Sequence, residues 1–263
     1  MEFLTPILNY LWIAAKEFML VLFLGFMPYL FFAIIMQMIT KFIRKRLASL
    51  LGEKLYIYLT CPGVMIHELS HALFCIIFGH KIQEMKLFSP ENDGTLGYVN
   101  HSYNPKNPYQ QIGNFFIGTG PIWGGVLLLY VASYFLLPEG ILNLTNGLPE
   151  TLKLFFNHLI SPEFWTNWQS YLWLYIVLAV SSHITLSQPD IQGALLGSIF
   201  LISLIFLIEL IVAWNNKINV ATVKTLENIF FTILPILLFS LFLTTIIAII
   251  VTIIPNIFPK KSK

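Results

Sequence analysis

The feature that most limits what this chain can fold into is its succession of nearly uncharged apolar stretches, each close to the length of a bilayer crossing. Six stand out, at about 18–40, 60–79, 112–137, 171–187, 191–213 and 228–255. A helix needs roughly 20 residues to cross a hydrocarbon core ~30 Å thick. Composition agrees: 57% of the 263 residues are hydrophobic, 11% are charged, and mean hydropathy is +0.75. A soluble domain carries about 25% charged residues. Backbone in lipid must satisfy its own hydrogen bonds, so such stretches fold as helices. The expected fold class is an all-α polytopic membrane protein of six transmembrane helices, with a small β-hairpin insertion after the second. The whole chain, 1–263, reads as one domain, without repeats or low-complexity tracts.

Local signals punctuate these stretches. Residues 3–15 are too short to span and run into Lys16-Glu17, so an interfacial helix is expected there, and Pro28 is a candidate kink in the first crossing. The start lacks the basic segment of a cleavable signal peptide. Residues 80–111 hold most of the polar sequence, and Pro90-Glu91-Asn92-Asp93-Gly94 separates Ile82–Phe88 from Thr95–Ser102 as a turn separates the strands of a hairpin. Residues 138–170 mix polar positions with Leu154-Phe155-Phe156 and Phe164-Trp165, which fits an interfacial or partly re-entrant segment.

Charge narrows the partners. A net charge of +2, spread along the chain, gives no footprint for nucleic acid. Cys61 and Cys75 fit neither a disulfide framework nor a C-x-x-C pair and read as packing residues. Lys41, Arg44, Lys45, Arg46 and Lys54 place the loop after the first crossing on the cytoplasmic face, and Lys260, Lys261 and Lys263 place the C-terminus there too. Five intervening crossings would put the two clusters on opposite faces, a conflict the sequence leaves open.

The strongest chemical signal is His67-Glu68-Leu69-Ser70-His71. Positions i and i+4 of a helix lie about 40° apart around its axis, so both imidazoles face one point, as two nitrogen ligands of a tetrahedral zinc must. Glu68, about 100° further round than His67, can take a proton from water polarised by that metal. Incidental packing explains the motif poorly. Each ionisable side chain within a membrane segment costs roughly 2.5 kcal/mol or more unless compensated, and three within five residues demand compensation.

A third ligand must come from elsewhere, since Phe74 and Ile77 occupy the positions of an extended HExxHxxGxxH pattern. His80, His101 and His158 read as interfacial or surface histidines. Asp190 follows Ser187-Gln188-Pro189 at a break between apolar stretches, where its carboxylate can complete the site or cap the helix that follows. His183, seven residues earlier, shares a face with Asp190 on a continuous helix; it is the other candidate for the third ligand, and a place behind the ligands or against substrate is favoured for it.

In this order the residues resemble the site-2 protease class of intramembrane zinc metalloproteases. The resemblance rests on Pro62-Gly63-Val64-Met65-Ile66 before HELSH, Gly79 after it, a strand-like Gly97-Tyr98-Val99, Gly120-Pro121 and a late intramembrane Asp. It covers about 60–125 and 181–197, and departs from the family in having Ser-Gln-Pro-Asp-Ile-Gln-Gly where many members have an Asn- and Pro-rich motif ending Leu-Asp-Gly. It implies a peptidase that cleaves membrane-embedded protein segments with one catalytic zinc. His67, His71 and Asp190 would be the ligands and Glu68 the base. Gly97, Tyr98, Pro121 and His183 are expected near substrate or behind the ligands, and the hairpin could receive an unwound substrate as an added strand. The expected setting is a bacterial or archaeal cell membrane, with the bilayer and a membrane-embedded protein or peptide as partners. Two other readings stand beside this one: a membrane zinc peptidase of lipidated or small peptides, and a non-catalytic metal-binding, transport or sensor protein. Intact Glu68 weighs against the last, because a structural metal site needs no base.

Overall fold

The computed structural model describes residues 4–20, 22–23, 27–91, 94–141, 148–215 and 219–257. Within them the apolar stretches are helical, as backbone groups deprived of water require. Helix α1 (Leu4–Leu20) continues through Lys16 and Glu17. Helix α2 (Met27–Leu51) carries Pro28 in its first turn, where the missing N–H has no helical partner to lose. Pro28 therefore lies at the start of α2 and not in its interior. Helices α3 (Glu53–Leu59) and α4 (Cys61–Ile77) meet at Thr60 with a bend of 60°, and Pro62 lies in the first turn of α4.

The polar connection folds as the expected antiparallel pair. Strand β1 (Lys81–Lys86) and strand β2 (Tyr98–Ser102) run in register from Lys81 opposite Ser102 to Lys86 opposite Tyr98, with an irregularity between Ile82 and Glu84. Asn92 and Asp93 of the expected turn lie outside the described residues. Helix α5 (Pro108–Leu136) follows, capped by the Asn107 side chain, which accepts from the Tyr109 N–H at 3.0 Å. Then come α6 (Leu148–Leu159), α7 (Pro162–Thr166), α8 (Trp168–Ser181), α9 (Gln188–Asn215) and α10 (Asn219–Ile257).

Among the described residues, four helices are long and apolar enough to cross a membrane: α2, α5, the Gln188–Ile211 part of α9 and the Ile233–Ile253 part of α10. The bent α3–α4 pair makes a fifth if it is counted as one span. Large apolar side chains on four of these elements, Phe31, Ile76, Phe135 and Ile199, are mostly exposed, as they would be against lipid. These features mark a membrane protein. Two of the six expected stretches fall short by themselves: the second, whose α4 has 17 residues, and the fourth, whose α8 has 14 residues, about 21 Å at 1.5 Å per residue. Pro189 lies in the first turn of α9, where its missing N–H has no helical partner to lose, so it marks the restart at Gln188 after α8 has ended at Ser181.

The bundle closes around Met36 and Ile43 of α2, Tyr56 of α3, Leu129 of α5 and Phe239 of α10, all essentially fully buried. The segment expected at the interface also docks here. Phe155 of α6 and Phe164 of α7 are enclosed, and the Phe155 ring lies 5.5 Å from Trp173 and 5.7 Å from Phe239.

Candidate metal centre

Helix α4 carries His67 and His71 one turn apart, with ring centroids 5.0 Å from each other. What aims them is a hydrogen bond on the far nitrogen of each ring. His71 Nδ1 lies 2.7 Å from the Ile117 carbonyl, and His67 Nδ1 lies 3.0 Å from the His183 carbonyl. A carbonyl only accepts, so each Nδ1 carries the proton and each Nε2 turns a lone pair into the site.

Both carbonyls are available because a helix is interrupted. Ile117 would normally accept from the N–H of residue 121, but Pro121 has none. The proline inside α5 thus frees the acceptor that His71 uses. Pro121 itself is buried and does not line the site, so its contribution runs through Ile117 and not through contact with substrate. The His183 carbonyl is free because α8 has ended two residues earlier. It accepts from Thr185 N–H at 2.8 Å as well as from His67.

Asp190 reaches the histidines from the first turn of α9. Its Oδ1 is 3.3 Å from His71 Nε2, and its Oδ2 is 3.8 Å from His67 Nε2. Bonds of about 2.0–2.1 Å at tetrahedral angles put ligand atoms about 3.3 Å apart. The three side chains each offer one atom within 4.8 Å of the others, a group that could hold a metal ion, and two imidazole nitrogens with a carboxylate oxygen suit zinc. Asp190 is also a helix cap. Its Oδ2 accepts from Ser187 N–H at 2.7 Å, while Ser187 Oγ accepts from Asp190 N–H at 3.3 Å. The carboxylate that caps the helix is thus the one that faces the two imidazoles.

Glycines bring these elements close enough. A Cβ on Gly118 would collide with the Asp190 carbonyl and come within 2.7 Å of Ala194 N, so α5 and α9 touch at backbone distance beside the site. On α4, a Cβ at Gly63 would strike the Ala179 carbonyl and the His183 ring.

A cavity of about 690 Å³ opens over His67, Glu68, His71 and Asp190. Consecutive residues from Gly94 to His101 border it, Gly97 and Tyr98 among them. A strand can present consecutive residues only along an edge, and among the described residues β2 pairs with β1 alone. Gly97 packs so tightly that a Cβ would lie 2.9 Å from Glu68 Cγ. Tyr98 donates its hydroxyl to Glu84 Oε1 at 2.5 Å.

The helix break separates His183 from Asp190, so they do not share a helical face. The His183 ring points at Thr60, 2.8 Å from its hydroxyl, which itself donates to the Tyr56 carbonyl at 2.8 Å. His183 therefore supports His67 through its backbone, with its ring braced behind.

Of the three histidines read as interfacial or surface residues, His80 and His101 are at least partly enclosed. His80 is buried, its Nε2 lies 2.8 Å from the Gln110 carbonyl, and its Nδ1 lies 3.1 Å from His101 Nδ1. His101 borders the cavity. Burial lowers the pKa of both, and for His101 the neighbouring His80 adds to the effect. In the neutral pair His80 donates through Nε2 and accepts at Nδ1 from His101. Only the strand-like run around Gly97-Tyr98-Val99 hinted that His101 would border this space. His158, on α6, packs edge-on to Phe164 and away from the cavity.

Compared with protein-family models, curated proteins and solved structures, the chain matches none of them.

Proposed function

We propose that the chain is an intramembrane zinc metalloprotease, resembling the site-2 protease class, that hydrolyses peptide bonds of membrane-embedded protein segments. The observation carrying this reading is the convergence of His67, His71 and Asp190 on one point, with Glu68 beside them in an open cavity. Zinc held there would supply Lewis acidity, polarising a substrate carbonyl and making water acidic enough to react near neutral pH. Glu68 accepts the proton from the attacking water and delivers it to the departing amine. The free edge of β2 offers backbone N–H and C=O groups to an unwound substrate strand, and Gly97 lets that strand approach Glu68.

The same reading makes the chain a single domain that crosses a bacterial or archaeal cell membrane several times. If α3–α4 is one crossing and α8 is none, four crossings follow the basic cluster of α2. An even number returns the C-terminal lysines to the same, cytoplasmic, face. Counting α8 as a sixth crossing would separate the two clusters.

The test is digestion of a model transmembrane peptide by purified protein in detergent. Wild type cleaves it, while Glu68→Gln keeps its zinc and loses roughly 10²- to 10⁴-fold in rate, because an amide cannot act as general base. Equal cleavage by the variant would refute the assignment.

A further inference from the structure

The cavity is asymmetric in charge. Among the described residues, Glu68 and Asp190 are the only carboxylates that border it, and two cations do, Lys41 and Arg44 of α2. Neither forms an ion pair with a carboxylate among the described residues, and both are exposed. They are half of a four-cation cluster whose other members behave differently. Lys45 and Arg46 do not border the cavity, and the Arg46 guanidinium lies over the Phe42 ring, 5.8 Å from its centroid.

Helix geometry accounts for the division. At 100° per residue, Gln37, Lys41 and Arg44 fall within an arc of about 60°, with Arg46 roughly opposite. The Gln37 amide donates to the Leu186 carbonyl at 3.5 Å, which turns this arc towards the break between α8 and α9. Arg44 is close enough to act electrostatically on Tyr56 and His183, behind the metal ligands. Membrane orientation needs positive charge on one face but has no reason to direct half of it into the cavity. Two cations without an ion pair among the described residues, one helical turn apart at the wall of a reaction space, are suited to a single carboxylate.

We infer that Lys41 and Arg44 select substrates bearing an acidic side chain just outside the apolar segment, seated against the α8–α9 break while the scissile bond lies over Glu68. The inference rests on the proteolytic reading for its choice of a peptide as ligand. Its test reads binding, so the two fail separately.

The probe is a fluorescent Leu- and Ala-rich transmembrane peptide, amidated at its C-terminus, with one Asp, Asn or Lys next to the apolar segment. Binding is measured by anisotropy to the non-cleaving Glu68→Gln protein in nanodiscs of phosphatidylcholine, then with phosphatidylglycerol added. The Asp peptide should bind roughly three- to tenfold more tightly than the Asn peptide, with the preference shrinking as salt rises. Lys41→Gln/Arg44→Gln should remove the preference, Lys41→Glu/Arg44→Glu should turn it towards the Lys peptide, and Lys45→Gln/Arg46→Gln should leave it intact. Zinc content and thermal unfolding show that each variant is folded, and the reversal is a gain that misfolding cannot produce. Equal binding of Asp and Asn peptides overturns the inference, as does a preference that survives charge reversal. So does retention of phosphatidylglycerol by Lys41 and Arg44 without peptide discrimination, which would assign the cations to lipid.

Discussion

Two pairs of histidines lie near the same cavity, and only one is arranged for metal. In the α4 pair each Nδ1 is tied to a backbone carbonyl, so both Nε2 atoms face inward and meet the Asp190 carboxylate. In the other pair His80 and His101 spend their Nδ1 atoms on each other, and the His80 Nε2 is turned to Gln110. Both pairs are at least partly enclosed, and both have rings 5.0 Å apart. Ring proximity is therefore not what distinguishes them. The difference lies in what holds the nitrogen that does not bind, and in whether a carboxylate meets the nitrogen that could.

The largest contrast is expected at Asp190. With Asp190 as the proposed ligand and the helix cap together, Asp190→Ala should lower zinc affinity, proteolysis and thermal stability alike. If the carboxylate were only a cap, zinc and activity would survive while the melting temperature dropped. Metal content and thermal unfolding of the same preparation separate these outcomes.

Pro121→Ala sharpens the comparison from the other side of the site. The restored N–H would compete with His71 for the Ile117 carbonyl, and zinc affinity should weaken roughly 10- to 100-fold, as for loss of other ligand-orienting contacts. Chelator competition measures it. Unchanged affinity would mean that the proline serves packing alone.

Ser187→Ala should act on the cap and spare the metal. It removes the hydroxyl that accepts from Asp190 N–H and should cost about 1 kcal/mol of stability, with zinc content at the wild-type level. The smallest effect belongs to the contrasting pair: His80→Ala should leave zinc content unchanged. Zinc loss there, without unfolding, would show that the two pairs are not independent.

How far the sequence foretold this arrangement depends on the length of chain over which each feature is encoded. The i, i+4 histidines and Glu68 were legible because helix geometry alone brings them together. The hairpin was legible from its turn, and Asp190 from a carboxylate placed at a proline break. The tethers were not, since the carbonyls that aim His71 and His67 come from residues 46 and 116 positions away. Pro121 did carry a readable trace, because a proline inside a helix always frees the carbonyl four residues earlier, but nothing local says which side chain will use it. Six spans are not reached among the described residues, in part because the apolar sequence of the fourth stretch runs on to 187 while α8 ends at Ser181. Hydropathy registers apolar length and is blind to where one helix stops and the next starts within it. Lys41 and Arg44 read as orientation signals because their place at the cavity depends on the rotation of α2, fixed by contacts such as Gln37 with Leu186.

The central claim is that His67, His71 and Asp190 hold zinc, and elemental analysis of purified protein tests it most directly. About one zinc per chain is expected in wild type, and almost none in His67→Ala/His71→Ala, because a lone carboxylate binds weakly. Stoichiometric zinc in that double variant would contradict the account.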